Sequence, residues 1–386
     1  MAHGDRIGSP WHPLPPVRGS GSGLLSLGAL PDAVQPAIHW PLFPAVRPRN
    51  RLIPRTAGDQ LCRRTRAPET AIGLPATRSC PVSIIRFRPL DWLRKTNRGA
   101  AVLNGAHRGG ASLGPENTLI TALLGYLAGA DFWELDVQLS FDQQLVVLHD
   151  DTLERTANAA AVFPEHAPWQ ASTFRWGEIR RLDCGSWFAS QQPLPQSAGG
   201  PVPANAAADL TAAFIGANAP SLLEALLLTR GLNWRVNVEI KDQGGGRTGS
   251  LLVDRVVKLI EALKMTERVL VSSFNHGYLE RVRGLDPALA TGVLLDQVPA
   301  DPAALVAELD ADALHPPATV IDPAMIEELK ARRIAVNVWT VNEAPSMRQL
   351  IAAGVTGIIT DCPQVLKRVR EAGSRPRSRP KSGYTG

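Results

Sequence analysis

The chain has 386 residues, more than one ordinary small domain needs, and 44% of its residues are hydrophobic, as in an ordinary globular protein. The formal net charge of +5 is unevenly distributed, because residues 1–98 carry 15 basic and 5 acidic side chains while residues 99–370 carry an acidic surplus. This distribution argues against a nucleic-acid-binding surface, which needs basic residues on the folded part. The sequence also lacks the run of about 18 apolar residues that a membrane span requires.

Both ends of the chain are predicted to lie outside the folded part. Residues 1–98 contain 14 prolines and no sustained helical or strand period. Because proline fixes φ and removes a backbone donor, we expect a disordered basic extension here. A sharper hypothesis is that the natural start codon lies downstream of this segment. Residues 373–386 are rich in Arg, Pro and Ser, and we expect a disordered basic tail.

The four cysteines form no C-x-x-C pair and have no histidine at the spacing of a zinc site. We therefore expect free thiols in a reducing compartment, which favours the cytoplasm. The apolar stretch at 24–30 follows a long Pro-rich flank, so it is not predicted to be a signal peptide.

Between residues 99 and 372, short apolar runs alternate with helical patterns, the order that a parallel βα barrel produces. The predicted strands are 101–106, 132–139, 234–240, 269–272, 289–294, 311–314, 335–339 and 357–360. The predicted helices are 118–128, 221–229, 251–263, 276–284, 302–309, 323–332, 344–353 and 363–371. Residues 144–148 extend the second strand as an arm, and residues 150–219 interrupt the alternation, with a loop predicted at 190–212. The count predicts a TIM-type (β/α)8 barrel with a small insertion after strand 2.

Three carboxylates lie on predicted strands: Glu134 and Asp136 on the second and Glu239 on the third. Residues two apart on a strand share a face, but the spacing does not say which face it is. If it is the barrel interior, two buried like charges need a cation, and oxygen ligands alone favour Mg²⁺ or Ca²⁺. In the alternative, both carboxylates face outward between helices and the apolar residues between them point inward.

Two histidines and two basic residues follow predicted strand ends, where α/β barrels place their active sites. His107 and His149 can divide proton donation and acceptance between them, although a single histidine in such a place is more often structural. Arg108 and Lys241 stand beside these groups and have the charge to hold a phosphate. An isolated basic residue is more often a surface charge.

Three further residues are candidates for substrate binding. Glu116 opens the first helix, where its charge suits the positive helix end, and this explains it without catalysis. Trp339 and Phe274 follow strand ends, where they would line a pocket over a small organic group. Barrel packing explains Phe274 equally well.

Seven motifs occur in order between about residue 103 and residue 368. They are HRGG at 107–110, PENT at 115–118, ELDV at 134–137, LHDDTLERT at 148–156, NVEIK at 237–241, WTVN at 339–342 and GVTGIITD at 354–361. The ordered set resembles the glycerophosphodiester phosphodiesterase family, and the stretch at 185–188 with the Gly-rich run after Lys241 is similar to its bacterial cytosolic branch. The chain departs from the family in its first 100 residues, in its longer loop at 190–212 and at Thr356, where the family more often has Asp.

The resemblance implies a role for each central residue. The metal ligands of the family match Glu134, Asp136 and Glu239; its acid/base pair matches His107 and His149; its residues near the phosphate match Arg108 and Lys241. The implied reaction is hydrolysis of small glycerophosphodiesters to sn-glycerol 3-phosphate and an alcohol such as choline or ethanolamine. We expect this to occur in the cytoplasm, with a divalent metal, without nucleic acid and without stable membrane insertion.

Two other functions stay open at this point. A related barrel enzyme acting on membrane phospholipids would be expected to have exposed apolar loops and usually a secretion signal, and the sequence shows neither. A non-catalytic barrel that binds a phosphate ligand would be expected to have lost a histidine or a carboxylate, and all five are present. Mg²⁺ and Ca²⁺, water and the neighbouring glycerol hydroxyl as nucleophile, and the oligomeric state also stay open.

Overall fold

The computed structural model describes residues 102–190 and 204–374, which contain a closed parallel barrel. The strands are β1 Leu103–Ala106, β2 Phe132–Leu139, β3 Leu145–Val147, β4 Val236–Ile240, β5 Val269–Ser273, β6 Ala290–Leu294, β7 Ala313–His315, β8 Ala335–Val338 and β9 Gly357–Thr360. All neighbours pair in parallel except β3, which runs antiparallel to the upper part of β2. Because β1 pairs with both β2 and β9, the ring closes. The predicted TIM-type barrel is therefore confirmed.

Helices cover the outside of the barrel and also build the segment between β3 and β4. In chain order they are α1 Leu119–Leu127, α2 Ala159–Val162, α3 Trp176–Ile179, α4 Ser186–Ala189, α5 Ala204–Phe214, α6 Leu222–Gly231, α7 Gly246–Ala262, α8 His276–Leu285, α9 Pro302–Glu308, α10 Pro323–Ala331, α11 Ala344–Ala353 and α12 Pro363–Ser374. The short helices α2 to α5 form the insertion. Among the described residues, no helix has both the length and the apolar character needed to cross a bilayer.

Two predicted boundaries were wrong. The loop predicted at 190–212 ends earlier than expected, because α5 occupies residues 204–214; its alanines favour a helix, and the prediction gave more weight to the Pro and Gly residues before it. Helix α7 begins at Gly246, inside the Gly-rich run. Glycine is tolerated there because the first turn of a helix makes few internal hydrogen bonds. Residues 144–148 were predicted to extend the second strand, but the chain turns back there and β3 pairs antiparallel with β2. The other predicted bounds agree with the observed ones to within a few residues.

The prediction for residues 1–98 lies outside the described residues. The tail predicted at 373–386 begins too early, because α12 continues to Ser374, and its remaining residues lie outside the described ones. The same holds for Cys62 and Cys80, while Cys184 and Cys362 are free thiols.

Helix α6 begins where the sequence predicted, with a reciprocal capping box. The Ser221 hydroxyl accepts a hydrogen bond from the Glu224 backbone N–H, and the Glu224 carboxylate accepts one from the Ser221 backbone N–H. This cap returns the chain from the insertion to the barrel at a defined point.

The two faces of β2 have different surroundings, since one packs against the helices and the other faces the barrel interior. Trp133, Leu135 and Val137 are fully buried against the surrounding helices, so the intervening residues face the interior. The lower interior is closed by an apolar layer, the barrel floor, made of Leu103, Phe132, Leu270, Ala290, Ala313, Ala335 and Ile359. Gly105 is required in this layer because a Cβ there would lie 2.4 Å from the Phe132 ring. The polar interior residues therefore lie above the floor, toward the carboxyl ends of the strands.

Candidate active site

A cluster of three carboxylates stands above the barrel floor. Glu134 and Asp136 come from β2 and Glu239 from β4, where it is paired in register with Asp136. One oxygen of each lies within 4.8 Å of the others. Glu134 and Asp136 are only 3% and 1% exposed. The shared face left open by the spacing is therefore the barrel interior.

The pKa values within this cluster diverge because its members have different neighbours. Burial raises the pKa of Glu134 well above its usual value, and the charges of Asp136 and Glu239 raise it further. Burial and Asp136 also raise the pKa of Glu239. At Asp136 burial acts in the same direction, but Arg108 and Lys241 outweigh it and its pKa is lowered. The three carboxylates thus carry more negative charge than Arg108 and Lys241 neutralise.

The basic side chains approach the cluster from two strands. The Lys241 Nζ lies 2.9 Å from Glu239 Oε1 and 3.6 Å from an Asp136 oxygen, and the Arg108 Nε lies 3.7 Å from Asp136. Glu134 Oε1 is buried and has no hydrogen-bond partner among the described residues. Three converging carboxylates with one such oxygen fit a hard divalent cation.

The loop after β1 is shaped by its glycines. Gly109 and Gly110 have φ values of +89° and +101°, and a Cβ on Gly109 would lie 2.8 Å from the Ala122 backbone nitrogen. Arg108 itself has a positive φ of 51°, and its backbone N–H donates to Glu134 Oε2 at 2.9 Å. The HRGG motif therefore turns the chain sharply over the carboxylates.

His107 enters the site from the end of β1. Its Nδ1 lies 2.7 Å from Asp361 Oδ1, and its Nε2 lies 3.9 Å from Glu134 Oε2. Asn342 holds Asp361, since its amide donates to Oδ2 at 2.7 Å and its oxygen accepts from the Asp361 N–H. Because an ionised carboxylate only accepts, Nδ1 donates to Asp361 and Nε2 faces the carboxylate cluster. Burial opposes ionisation of Asp361, but His107 and Asn342 outweigh it and lower its pKa.

His149 enters from the other side, after β3. Its Nδ1 lies 2.6 Å from Asp150 Oδ1, so this ring also has an aspartate behind it. The hydrogen bond from His149 and then the Arg155 guanidinium keep the pKa of Asp150 well below its usual value, against the effect of burial. Asp361, Asp150 and Arg155 had no assigned role in the sequence analysis, although all three lie within the motifs quoted there.

The three remaining candidates are found in two places. Both oxygens of Glu116 accept hydrogen bonds from arginine, from Arg108 and from Arg155. Phe274 and Trp339 form an edge-to-face pair with ring centroids 5.7 Å apart at the ends of β5 and β8. Phe274 is 36% exposed, so this aromatic pair lies at the rim of the barrel.

A cleft of about 490 Å³ opens between the insertion and the loop after β4. Its lining includes Gln138, Asp151 and Asp242. Gln138 is the next interior residue of β2 after Asp136, and its amide donates to the carbonyls of Leu148 and Asp150. The cleft therefore adjoins the region of His149.

The chain matches a known family. The family model described as the glycerophosphoryl diester phosphodiesterase family matches residues 107–365. The chain belongs to this family. A glycerophosphodiester phosphodiesterase of Caldanaerobacter subterraneus is 33% identical over 273 residues, which cover 69% of this chain and 98% of the relative.

Two solved structures share the fold of this family member. One is a glycerophosphodiester phosphodiesterase of Agrobacterium tumefaciens, with 25% identity, a TM-score of 0.55 and coverage of 70% of this chain and 99% of the other. The other is a phosphodiesterase of Oleispira antarctica in complex with the product sn-glycerol-3-phosphate, with 23% identity, a TM-score of 0.58 and coverage of 71% and 99%.

Proposed function

We propose that the chain hydrolyses glycerophosphodiesters to sn-glycerol 3-phosphate and an alcohol by divalent-metal-assisted acid/base catalysis. The observation that carries this proposal is the meeting of three carboxylates and two aspartate-backed histidines at the carboxyl end of the barrel. Membership of the family supports the substrate class, and the Oleispira antarctica phosphodiesterase holds the product that the proposal names.

Glu134, Asp136 and Glu239 would hold the metal, because their oxygens converge and one of them is buried without a partner among the described residues. Ligand sets made of carboxylate oxygens favour Mg²⁺ or Ca²⁺. When bound, such an ion supplies positive charge that offsets the charge of the phosphate in the transition state.

The histidines would move the protons. The aspartate on each Nδ1 leaves Nε2 as the atom that faces the reacting groups. One ring accepts the proton of the nucleophile, and the other donates a proton to the oxygen of the leaving alcohol. Direct attack by water and attack by the neighbouring glycerol hydroxyl, followed by opening of the cyclic phosphate by water, end in the same products.

Arg108 and Lys241 would bind the phosphate oxygens. Both side chains are mostly buried, with 16% and 17% exposed, and both already face the carboxylate cluster. A phosphate placed over the cluster would lie within reach of their N–H groups, which stabilise its charge.

The leaving alcohol would extend toward the cleft beside His149. The charged residues that line this cleft are Asp151 and Asp242, and its described lining includes no basic side chain. Such a lining suits a cationic or neutral alcohol, such as choline or ethanolamine. The Phe274–Trp339 pair at the rim is a candidate contact for the glycerol part.

The test is hydrolysis of glycerophosphocholine by the purified protein, followed by enzymatic assay of sn-glycerol 3-phosphate. We expect release that EDTA abolishes and that Mg²⁺ or Ca²⁺ restores. Lysophosphatidylcholine micelles, assayed in parallel, test the phospholipase alternative. No release from glycerophosphocholine with either metal, or undiminished release in EDTA, would contradict the proposal.

A further inference from the structure

His149 and four charged side chains form an unbroken chain of contacts across the mouth of the barrel. His149 Nδ1 lies 2.6 Å from Asp150, and Arg155 Nε donates to the second Asp150 oxygen at 2.6 Å. The two terminal nitrogens of Arg155 donate to the two oxygens of Glu116, each at 2.7 Å. Arg108 then donates to Glu116 Oε1 at 2.7 Å. Arg155 therefore stands in the middle of an ion-pair chain that runs from His149 to Arg108.

The members of this ion-pair chain come from separate parts of the fold. Arg155 belongs to the insertion, Asp150 follows β3, and Glu116 lies between β1 and α1. Arg155 also contacts Asp150 with two nitrogens, since its Nη2 lies 2.9 Å from Oδ1. A planar guanidinium that binds two carboxylates, each through two nitrogens, sets their relative orientation as well as their distance. The insertion is thus fastened to the β1 loop at the point where the site is assembled.

The exposure of these groups indicates that Arg155 orients its partners and adds little to the stability of the fold. Its side chain is 46% exposed, and a half-exposed ion pair contributes little to folding stability. Its two partners are less exposed, Glu116 at 9% and Asp150 at 24%. Burial works against ionisation of Glu116, but Arg155 and Arg108 outweigh it and lower its pKa. Both carboxylates therefore stay charged and bound to Arg155.

We propose that Arg155 is a positioning residue for the proposed hydrolysis, on which this inference rests. Through Asp150 it sets the orientation of the His149 ring, and through Glu116 it sets Arg108 relative to that ring. Glu116 then connects two arginines, and the substrate contact predicted for it from the sequence stays a prediction. Displacement of a catalytic group by about 1 Å lowers a rate by roughly 100-fold, so the loss of Arg155 is costly although it touches no reacting atom.

The test compares Arg155→Met and Arg155→Lys with the matched control Arg180→Met. Arg180 is also an insertion arginine, is 48% exposed, and binds Glu224 of α6 at 2.5 Å, but it has no contact with the ion-pair chain. For Arg155→Met we expect kcat to fall roughly 10- to 100-fold while KM changes less than about threefold. Arg155→Lys should recover part of the loss, and Arg180→Met should retain wild-type kcat.

A second measurement does not depend on turnover. The proton on His149 Nδ1, hydrogen-bonded to Asp150, should give a low-field NMR resonance in the wild-type protein, assigned by its loss in His149→Gln. We expect this resonance to shift or broaden in Arg155→Met and to be unchanged in Arg180→Met.

The outcomes separate the inference from the proposed function. Wild-type protein that fails to hydrolyse the substrate, with the resonance behaving as expected, contradicts the proposed function alone. Active wild-type protein with an unchanged kcat and an unchanged resonance in Arg155→Met overturns the inference. Equal losses in Arg155→Met and Arg180→Met also overturn it, because they would assign both arginines to holding the insertion in place.

Discussion

The site contains two histidine–aspartate pairs, one on the barrel side and one on the insertion side, and different groups hold the aspartate in each pair. On the barrel side, His107 rests on Asp361, which a neutral amide from Asn342 and backbone contacts hold in place. On the insertion side, His149 rests on Asp150, which a half-exposed arginine holds. In both histidines Nδ1 therefore contacts an aspartate, and the His107 Nε2 lies 3.9 Å from a Glu134 oxygen.

The difference shows that the fold positions the two histidine–aspartate pairs in different ways. The barrel-side groups stand at the ends of β1, β8 and β9, whose backbone pairing already sets their positions. The insertion-side groups follow β3, which pairs with the upper part of β2 and forms an isolated bridge between Val146 and Ser221. On the insertion side we propose that charge-assisted hydrogen bonds complete the positioning.

The largest expected effect comes from removing either ring. His107→Ala and His149→Ala should each lower kcat by about 10²- to 10⁴-fold, because each deletes one proton-transfer group. The measurement is steady-state hydrolysis of glycerophosphocholine, with circular dichroism to confirm folding. His166→Ala removes an exposed insertion histidine and should keep full activity. Wild-type turnover in either active-site variant would contradict the assigned roles.

A smaller loss is expected when only the aspartate behind each ring changes. Asp361→Asn and Asp150→Asn keep the side-chain shape but remove the charge that accepts the Nδ1 proton. Each ring can then adopt the wrong tautomer or orientation, and kcat should fall by roughly 100-fold. Equal losses would show that the two sides depend equally on their aspartates. Unchanged kcat in one variant would show that its histidine needs no aspartate.

The smallest effect on activity is expected from replacing His315, a third histidine, whose ring contacts an amide instead of a carboxylate. It is fully buried in the barrel, its Nε2 lies 2.9 Å from the Asn337 amide, and burial lowers its pKa to about 3 from the ordinary 6.5. Between these values the unfolded chain binds a proton that the folded chain does not, so stability falls as pH falls. His315→Gln removes this dependence.

The test is urea unfolding of wild type and His315→Gln at several pH values between about 5 and 7. Relative to the variant, the wild type should lose up to about 1.4 kcal/mol in free energy of unfolding per pH unit below the unfolded pKa. Turnover at neutral pH should be nearly unchanged. A constant difference in stability across this range would contradict the neutral buried state of His315.

Much of the fold could be predicted from the sequence because its signals are local. Strand β2 and helix α11 were predicted with their observed ends, since apolar runs and turn residues mark both. The errors at α5 and α7 arose where alanine or glycine makes the local preference ambiguous. The site was less predictable, because Asp361 lies 254 residues from the His107 it contacts.

The sequence by itself determined the order of the eight parallel barrel strands and of the helices that follow them, the identity of the chemical groups and the family to which they belong. Only the tertiary structure decided that Glu134 and Asp136 face the barrel interior, because a strand's alternation is the same whichever face is buried. It also decided what lies behind each histidine: closure of the barrel brings β9 beside β1, and the insertion places Arg155 between Asp150 and Glu116.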